Sequence, residues 1–587
     1  MTNQQTASRD EAALNPVLVS VVSSRIRAIG ERMGLVIERS ARSPLLVEGR
    51  DFSLGIYAAD GTLIEQTEYI PILGYAAAPT MQYVAKKFAG KVAEGDVILH
   101  NDPFTGGNQP ADWKIMKPVF FEGRHIAWTM ITAHQADVGG AVAGGYNPDA
   151  TEIWQEALRI TAVKIMEAGE VREDVWDLIF GNVRLAMVEH DVRAMIGACT
   201  VGERELQELV GRYSIPTFEA VVEHMLDAAE ATAAQVVELI PDGVYAHSWV
   251  VNYDGITPGS RMTLRVRIEV KGDRISFDFT GTDPQTPGYV NAPLAVTLSS
   301  VMVTFFMIAG VEIPHNDGIM RCIDVTVPEG CFLNCRYPAA SGYGNHLSDQ
   351  ICSAIMAALA DVLPDRVTAG WNPLLCAIMN GMNEATGEPF VDILINSSKG
   401  GSGGTQGVDG FDHIGLIASG GALGAQDPEM FEIMTPLFVE QFEYATDSAG
   451  PGEWRGGLGV ESRFRVMSSG VQASIFGDGD EPEFAAQGLR GGLPGAVNLI
   501  EFAYPDGEAL RPLNKDLVTG IPAGTVFREL AGGGGGFGDP HRRPAERVAE
   551  EVRYGYVSVE SARDDYGVVI DEAGQVDEAA TAALRGA

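Results

Sequence analysis

The chain has 587 residues, of which 45% are hydrophobic, and a formal net charge of −37 from 79 acidic and 42 basic residues. This length and composition predict a globular protein of several domains with a large core. The excess of negative charge argues against nucleic acid or an anionic membrane as a partner.

In chain order, the first clear element is an amphipathic helix over 17–40, predicted from apolar residues at spacings of three and four. Alternating apolar residues around Asp60-Gly61 then predict a β-hairpin. Residues 165–240 show the mixed charged and apolar pattern of helices, and the stretch 240–245 is interpreted as a boundary. A second hairpin is predicted over 261–279.

The longest apolar run, residues 291–310, is interrupted by serine and threonine, so it is predicted to be a buried helix rather than a membrane span. The first 14 residues lack a basic segment followed by an apolar one, as a signal peptide would have. None of the six cysteines forms a CxxC pair, which predicts reduced, mostly buried thiols. These features predict a cytoplasmic protein.

From residue 397 onward glycine becomes frequent, which predicts many short strands joined by turns. Pro544 and Ser558 are predicted to begin two terminal helices. The whole pattern predicts a mixed, multi-domain α+β fold. Its regions are an N-terminal α/β region over 1–240, a middle region of β-hairpin and buried helix over 241–420, and a glycine-rich β region with terminal helices over 421–587.

Two segments carry the side chains that favour a metal site. Asp102 and Asp112 lie in "NDPFTGGNQPAD", which leads into a strand, and His134 and Asp137 end a second strand in "TAHQADVGG". If the two strands pair, the three carboxylates and one imidazole converge at their ends and suit a divalent cation such as Zn, Mn or Mg. The alternative is an ordinary Asn-Asp-Pro turn and a hydrogen-bonded core histidine.

The segment 531–540, "AGGGGGFGDP", has consecutive backbone N–H groups that can cradle an anion. It lacks the Gly-Lys-Ser/Thr ending of a phosphate loop. We therefore expect a structural turn whose glycines take backbone angles closed to other residues. The sequence also lacks a Gly-x-Ser-x-Gly elbow and a dinucleotide fingerprint, which argues against the usual serine hydrolases and NAD enzymes.

Nine segments, in order along nearly the whole chain, resemble the hydantoinase B/oxoprolinase family. They are "DFSLGIYAADGTLI" (51–64), "NDPFTGG" (101–107), "AHQADVGG" (133–140), "DATEIWQEALRI" (149–160), "DFTGTDPQTPGYVNAPLA" (278–295), "IPHNDGIMRCIDVTVPEG" (313–330), "DSAGPGEWRGGLGV" (447–460), "GGGGGFGDP" (532–540) and "GYVSVESARDDYGVVID" (555–571).

The resemblance implies a catalytic subunit of a hetero-oligomer, in which ATP binds to a larger partner of the hydantoinase A type. It implies ATP-dependent opening of hydantoins, 5-oxoproline or lactams, small-molecule substrates whose unreactive carbonyl is first phosphorylated. For this chain it implies catalytic roles for Asp102, His134 and Asp137. It also implies a divalent metal, for which the candidate ligands are Asp102, Asp112, His134 and Asp137.

Two departures from the family's pattern leave the substrate class open. Asn108-Gln109 stands where many members have Thr-His, and the segment 134–137 reads His-Gln-Ala-Asp instead of His-His-x-Asp, which is closer to the ketone carboxylases. Those enzymes can use a further histidine downstream, whereas residues 149–165 contain none and Glu156 is the nearest acidic substitute. The alternatives are a subunit of an ATP-dependent ketone carboxylase (acetone or acetophenone type) and a metal-free structural subunit.

Overall fold

The computed structural model describes residues 15–67, 69–310 and 313–586. The N-terminal segment 1–14, for which no signal pattern is predicted, lies outside the described residues. The helices are α1 (Pro16–Ser40), α2 (Pro44–Val47), α3 (Pro71–Tyr75), α4 (Ala77–Lys87), α5 (Glu173–Phe180), α6 (Ala186–Tyr213), α7 (Ile215–Glu238), α8 (Leu294–Ala309), α9 (Leu347–Leu359), α10 (Ile395–Ser398), α11 (Pro428–Met434), α12 (Ala545–Tyr554), α13 (Val559–Asp564) and α14 (Glu578–Arg585).

The strands are β1 (Phe52–Ala58), β2 (Leu63–Thr67), β3 (Val97–His100), β4 (Asp112–Phe121), β5 (Arg124–His134), β6 (Val163–Glu167), β7 (Glu170–Val171), β8 (Gly243–Asn252), β9 (Arg261–Lys271), β10 (Arg274–Asp278), β11 (Ile323–Thr326), β12 (Leu375–Asn383), β13 (Glu388–Ile393), β14 (Leu437–Tyr444), β15 (Val460–Val466), β16 (Val471–Gly477), β17 (Leu499–Ala503), β18 (Ala509–Leu510), β19 (Lys515–Ile521) and β20 (Val526–Leu530). Together with the helices they make the mixed α+β fold that the sequence predicts.

The first sheet has seven strands in the order β2-β1-β5-β4-β3-β6-β7 and is covered on one face by α1 and α6. The Asn15 side chain accepts the N–H of Val17, and Pro16 fits the first turn, so α1 begins where the sequence predicts. Its apolar stripe, which includes Ile26 and Met33, is fully buried. The predicted first helix and first hairpin are both confirmed.

The prediction of helix over 165–240 is wrong at its beginning. Residues 163–167 and 170–171 form β6 and β7, and β6 extends the first sheet by pairing with β3. Ala168 and Gly169 both have positive φ, which makes the tight turn between these two strands. The helical pattern holds from Glu173 onward.

The middle of the chain contains a four-stranded sheet in the order β11-β10-β9-β8. The predicted hairpin is confirmed as β9 and β10, which pair antiparallel, and α8 is confirmed as a buried helix. Among the described residues, no helix is long and apolar enough to cross a membrane. All six cysteines are buried free thiols, as predicted.

Two further sheets lie in the C-terminal part, with the orders β13-β12-β16-β19 and β14-β15-β20-β17-β18. Apolar residues of both sheets, including Ile475 and Phe527, form one core. Ser558 caps α13 as predicted, and α12 follows Pro544. A third terminal helix, α14, was not predicted. The buried Arg543 guanidinium ties this end to the rest through Asp409 and Glu551.

Candidate functional site

The site lies at one end of the first sheet, where β4 begins and β5 ends. The two strands pair antiparallel with Asp112 directly opposite His134, so the expected strand pairing is confirmed. The Nδ1 atom of His134 is 2.8 Å from Oδ1 of Asp112, and both side chains are buried. This short contact is the centre of the site.

Asp112 is surrounded by hydrogen-bond donors. Gln109 Nε2 donates to its Oδ1 at 3.0 Å, and Asn108 Nδ2 donates to its Oδ2. Burial acts to raise the pKa of Asp112, but the hydrogen bond and charge of His134 outweigh it and the pKa is lowered. Burial acts to lower the pKa of His134, but Asp112 outweighs it and raises that pKa. The geometry therefore favours a charged pair.

A third ionisable group, Asp51, adjoins this pair. Its backbone oxygen accepts the His134 N–H at 3.1 Å, because β1 pairs with β5 and places Phe52 opposite Ala133. Burial raises the pKa of Asp51 to about 6, with the charge of His134 lowering it and that of Asp112 raising it. Sequence reasoning missed Asp51, although it directly precedes the predicted strand.

Two aromatic side chains and a second histidine complete the polar end. The Tyr146 hydroxyl lies 3.1 Å from Gln109 Oε1 and 2.9 Å from His346 Nε2. The ring of Phe476 stacks on Tyr146 with centroids 4.2 Å apart. Burial and the charge of His134 lower the pKa of His346 to about 3, so this imidazole is neutral at physiological pH.

These groups line a cavity of about 50 Å³ whose remaining walls are mostly apolar. Such a volume holds a few water-sized groups. Among the described residues, the buried Nε2 atom of His134 has no hydrogen-bond partner. The apolar residues that line the cavity are Ile70, Ile72, Leu73, Ile393, Ile395, Leu416, Ala418, Leu423 and Phe476.

The other two predicted ligands lie apart from this pair and have different partners. Asp102 accepts hydrogen bonds from Arg159 at 2.8 Å and Thr161 at 2.6 Å, beside the turn that its own side chain caps. Asp137 accepts the Arg184 N–H at 2.6 Å and contacts its guanidinium at 3.0 Å. Within residues 15–67, 69–310 and 313–586, no group of three or more His, Cys, Asp or Glu side chains is arranged to hold a metal.

Glu156, the acidic residue nearest to the missing downstream histidine, is not part of the cavity wall. It is fully buried and accepts the backbone N–H groups of Ser341 and Gly342 at 2.8 and 2.6 Å. Burial raises its pKa to about 8, with those two hydrogen bonds lowering it. Its contacts join two segments of the fold.

The glycine segment 532–536 has no free N–H groups for an anion, since all five donate to protein acceptors at 2.7 to 3.0 Å. Its packing role is therefore confirmed, but the expected turn with positive φ is wrong, because only Gly538 nearby has a positive φ. The five glycines are needed for close backbone contact. A Cβ atom on any of them would lie 1.9 to 2.3 Å from a carbonyl oxygen.

Comparison with known proteins identifies the family. The family model described as hydantoinase B/oxoprolinase matches residues 15–540. The chain belongs to this family. It is 34% identical over 591 residues to the caprolactamase beta subunit of Pseudomonas jessenii, covering 98% of this chain and 99% of that protein. It is 27% identical to a putative D-/L-hydantoinase B subunit of Pseudomonas sp. (strain NS671), with the same coverage.

Solved structures agree with this membership. The crystal structure of the ATP-dependent caprolactamase from Pseudomonas jessenii superimposes with a TM-score of 0.91 at 33% identity, covering 98% of this chain and 100% of that one. A nucleotide-free acetone carboxylase has a TM-score of 0.90 at 22% identity, covering 98% and 83% of the two chains. This second likeness shows a shared fold.

Proposed function

We propose that this chain is the B-type subunit of an ATP-dependent cyclic-amide hydrolase and that lactams are its substrate class. The observation that carries the proposal is the buried pair of Asp112 and His134, of which His134 lines the polar end of an apolar cavity. The chain's relationship to a caprolactamase beta subunit along nearly its whole length supports the same activity. An aliphatic ring with one amide group matches apolar walls and a single polar end, and admitting the whole ring requires this cavity of about 50 Å³ to widen.

The polar end also suits the divalent metal that the family resemblance implies. The atoms Asp112 Oδ1, His134 Nδ1 and Gln109 Nε2 are separated by 2.8, 3.0 and 3.2 Å. Neighbouring ligands about 2.1 Å from one small cation are about 3.0–3.4 Å apart. The Gln109 amide can present either its nitrogen or its oxygen at this point. A metal there would polarise the substrate carbonyl or supply hydroxide.

We assign ligand roles to Asp112 and His134, with the Gln109 amide oxygen as third ligand and Asp51 as the nearest further carboxylate. Asp102 and Asp137 are left out of this ligand set because their oxygens bind Arg159 and Arg184. The chain therefore offers a donor set of mixed oxygen and nitrogen, which suits Zn or Mn.

The surrounding residues hold these groups in place. Tyr146 bonds to both Gln109 and His346, so the amide and the second imidazole are positioned together. His346 is neutral and lines the cavity, but its pKa of about 3 makes it a weak proton acceptor, so we assign it a positioning role through Tyr146. Phe476 stacks on the ring of Tyr146 and so helps to hold it in place.

ATP is expected to bind to an A-type partner. The chain has no phosphate-loop sequence, and the N–H groups of residues 532–536 are all occupied. The caprolactamase and hydantoinase relatives are each named as one subunit of an enzyme, which supports a second kind of chain in the active complex. The proposed partner would phosphorylate the lactam oxygen and deliver the activated ring to this chain.

The test is co-expression with an A-type partner and measurement of ADP and of the free amino group that forms when ε-caprolactam is opened. This formation of the free amino group is called amine release below. We expect amine release only with ATP and with both chains present. The variant His134→Ala should abolish amine release, whereas His247→Ala, in the separate sheet of β8, serves as the matched control. Ketone- and bicarbonate-dependent ADP formation without lactam opening would instead support the carboxylase alternative.

A further inference from the structure

A second and larger cavity lies beside the site and is not used by the proposed mechanism. Its volume is about 280 Å³, and it is enclosed by residues from the N-terminal and C-terminal parts of the chain. Most of the wall is hydrocarbon, and the apolar side chains that line it include Leu45, Met187, Phe390, Ile393, Ile395, Ile433 and Met434. This wall suits an alkyl chain.

The two cavities share part of one wall. Ile393 and Ile395 line both of them. Ala136, two residues beyond His134, lines the second cavity, and Gly49, two residues before Asp51, does so as well. Ile393 and Ile395 therefore form the wall that a molecule would have to pass to extend from the polar site into the second cavity.

The charged side chains that line this cavity are all acidic. Its lining contains the carboxylates of Glu388 and Asp392 and no Lys, Arg or His. Among the described residues, the buried Oδ1 atom of Asp392 has no hydrogen-bond partner. Burying an acceptor atom without a hydrogen-bond partner is unfavourable in free energy. A cationic donor that bonds to it would remove this penalty. The cavity thus combines hydrocarbon walls with a carboxylate whose Oδ1 atom lacks a donor, although a hydrogen bond from Gln426 acts on the same group.

We propose that this second cavity binds the ammonium end of the ring-opened product, an ω-amino acid with an unbranched alkyl chain. The inference rests on the proposed function. After the partner has transferred the ATP phosphoryl group to the lactam oxygen, water adds to the carbonyl carbon and the C–N bond breaks as the nitrogen takes up protons and becomes an ammonium. A second water releases the phosphate, so the products are the ω-amino acid, ADP and phosphate. The carboxylate end stays at the polar site, and the ammonium end reaches Asp392 along the shared wall of Ile393 and Ile395.

Calorimetry with hexylammonium chloride as the probe and hexan-1-ol as its neutral counterpart tests this site on the full chain. We expect one hexylammonium per chain, with affinity at least about tenfold above that of the alcohol, since one charge-assisted hydrogen bond contributes that much. In Asp392→Asn the preference for the ammonium should disappear, while the alcohol binds as before. Glu429→Gln, which removes a charge from nearby α11, is the matched control and should bind like the unaltered chain.

Equal binding of hexylammonium and hexan-1-ol by the unaltered chain would overturn the proposal. So would an ammonium preference that survives in Asp392→Asn, provided that the melting curve of this variant matches the unaltered chain. Asp392-dependent ammonium binding in a complex that opens no cyclic amide would refute the proposed function and leave the ammonium site standing. The two ideas can therefore fail separately.

Discussion

The pair of Asp112 and His134 and the glycine segment 532–536 are both buried, but they differ in how their polar groups are satisfied. In the glycine segment every backbone N–H has an acceptor, and each residue touches neighbouring backbone. At the polar site, among the described residues, the Nε2 atom of His134 has no hydrogen-bond partner. Asp112, by contrast, accepts hydrogen bonds from Gln109 and His134. Complete pairing rigidifies a core, whereas a buried polar atom without a partner keeps the capacity to accept or donate a further hydrogen bond.

The largest effect should follow from breaking the close packing of the glycine segment. In Gly534→Ala the new Cβ would lie 1.9 Å from the carbonyl oxygen of Ser402, with backbone on either side that cannot move away. We expect a loss of about 4 kcal/mol or more in the free energy of unfolding, or no folded protein. Thermal or denaturant unfolding measures this.

A second glycine separates crowding from backbone conformation. Gly507 has a positive φ of 93° and open space around it, so Gly507→Ala should cost only about 1–2 kcal/mol. Equal losses in the two variants would show that contact with backbone is not what requires glycine at Gly534.

The next effect concerns catalysis rather than stability. We expect His134→Ala to lower ATP-dependent ring opening by about 100-fold or more, since it removes a proposed metal ligand. The melting temperature should change little, because Asp112 keeps its hydrogen bonds from Asn108 and Gln109. Steady-state kinetics and metal analysis of the purified complex test this. An active, metal-replete variant would contradict the assigned site.

A smaller effect should appear in the titration of the site. Asp112 raises the pKa of His134 through a hydrogen bond and its charge, so Asp112→Asn should lower that pKa. The protonated form of His134 would then be lost at lower pH than in the unaltered chain. NMR of 13C-labelled histidine in the metal-free chain follows this directly. An unchanged titration curve would show that Asp112 does not control the charge of His134.

Local patterns in the sequence were enough for the elements that depend on periodicity. The stripe of α1, the hairpins at Asp60-Gly61 and at β9 and β10, and the buried α8 all follow from neighbouring residues. β6 and β7 were mistaken for helix because their strand conformation depends on pairing with β3, about 65 residues earlier in the chain. Pairing between distant segments cannot be predicted from the local spacing of apolar residues.

Within the site, too, contacts between neighbouring segments could be predicted and contacts between distant segments could not. Asp112 and His134 could be predicted together because they begin and end two strands that are adjacent in sequence. Tyr146 and His346 are 200 residues apart, and their contact depends on packing between separate parts of the fold. Asp102 and Asp137 are predicted as ligands from their place near the ends of the same two strands, and in the structure their carboxylates contact arginine side chains. Arg159 and Arg184, their actual partners, lie 57 and 47 residues further along the chain.

The smallest predicted effect concerns pH and the second cavity. Burial raises the pKa of Asp392 to about 7, with Gln426 lowering it and the charge of Glu48 raising it; Glu388 also lines the cavity. An ammonium needs the ionised carboxylate, so hexylammonium binding should strengthen as pH rises through this pKa. Between pH 6 and pH 8 the ionised fraction changes about tenfold, and so should the affinity.

Asp392→Asn should show no such change in hexylammonium affinity. Hexan-1-ol should bind equally at both values, because it carries no charge for Asp392 to recognise. A pH dependence that persists in Asp392→Asn would assign the titration to Glu48 or Glu388 and remove Asp392 from the site.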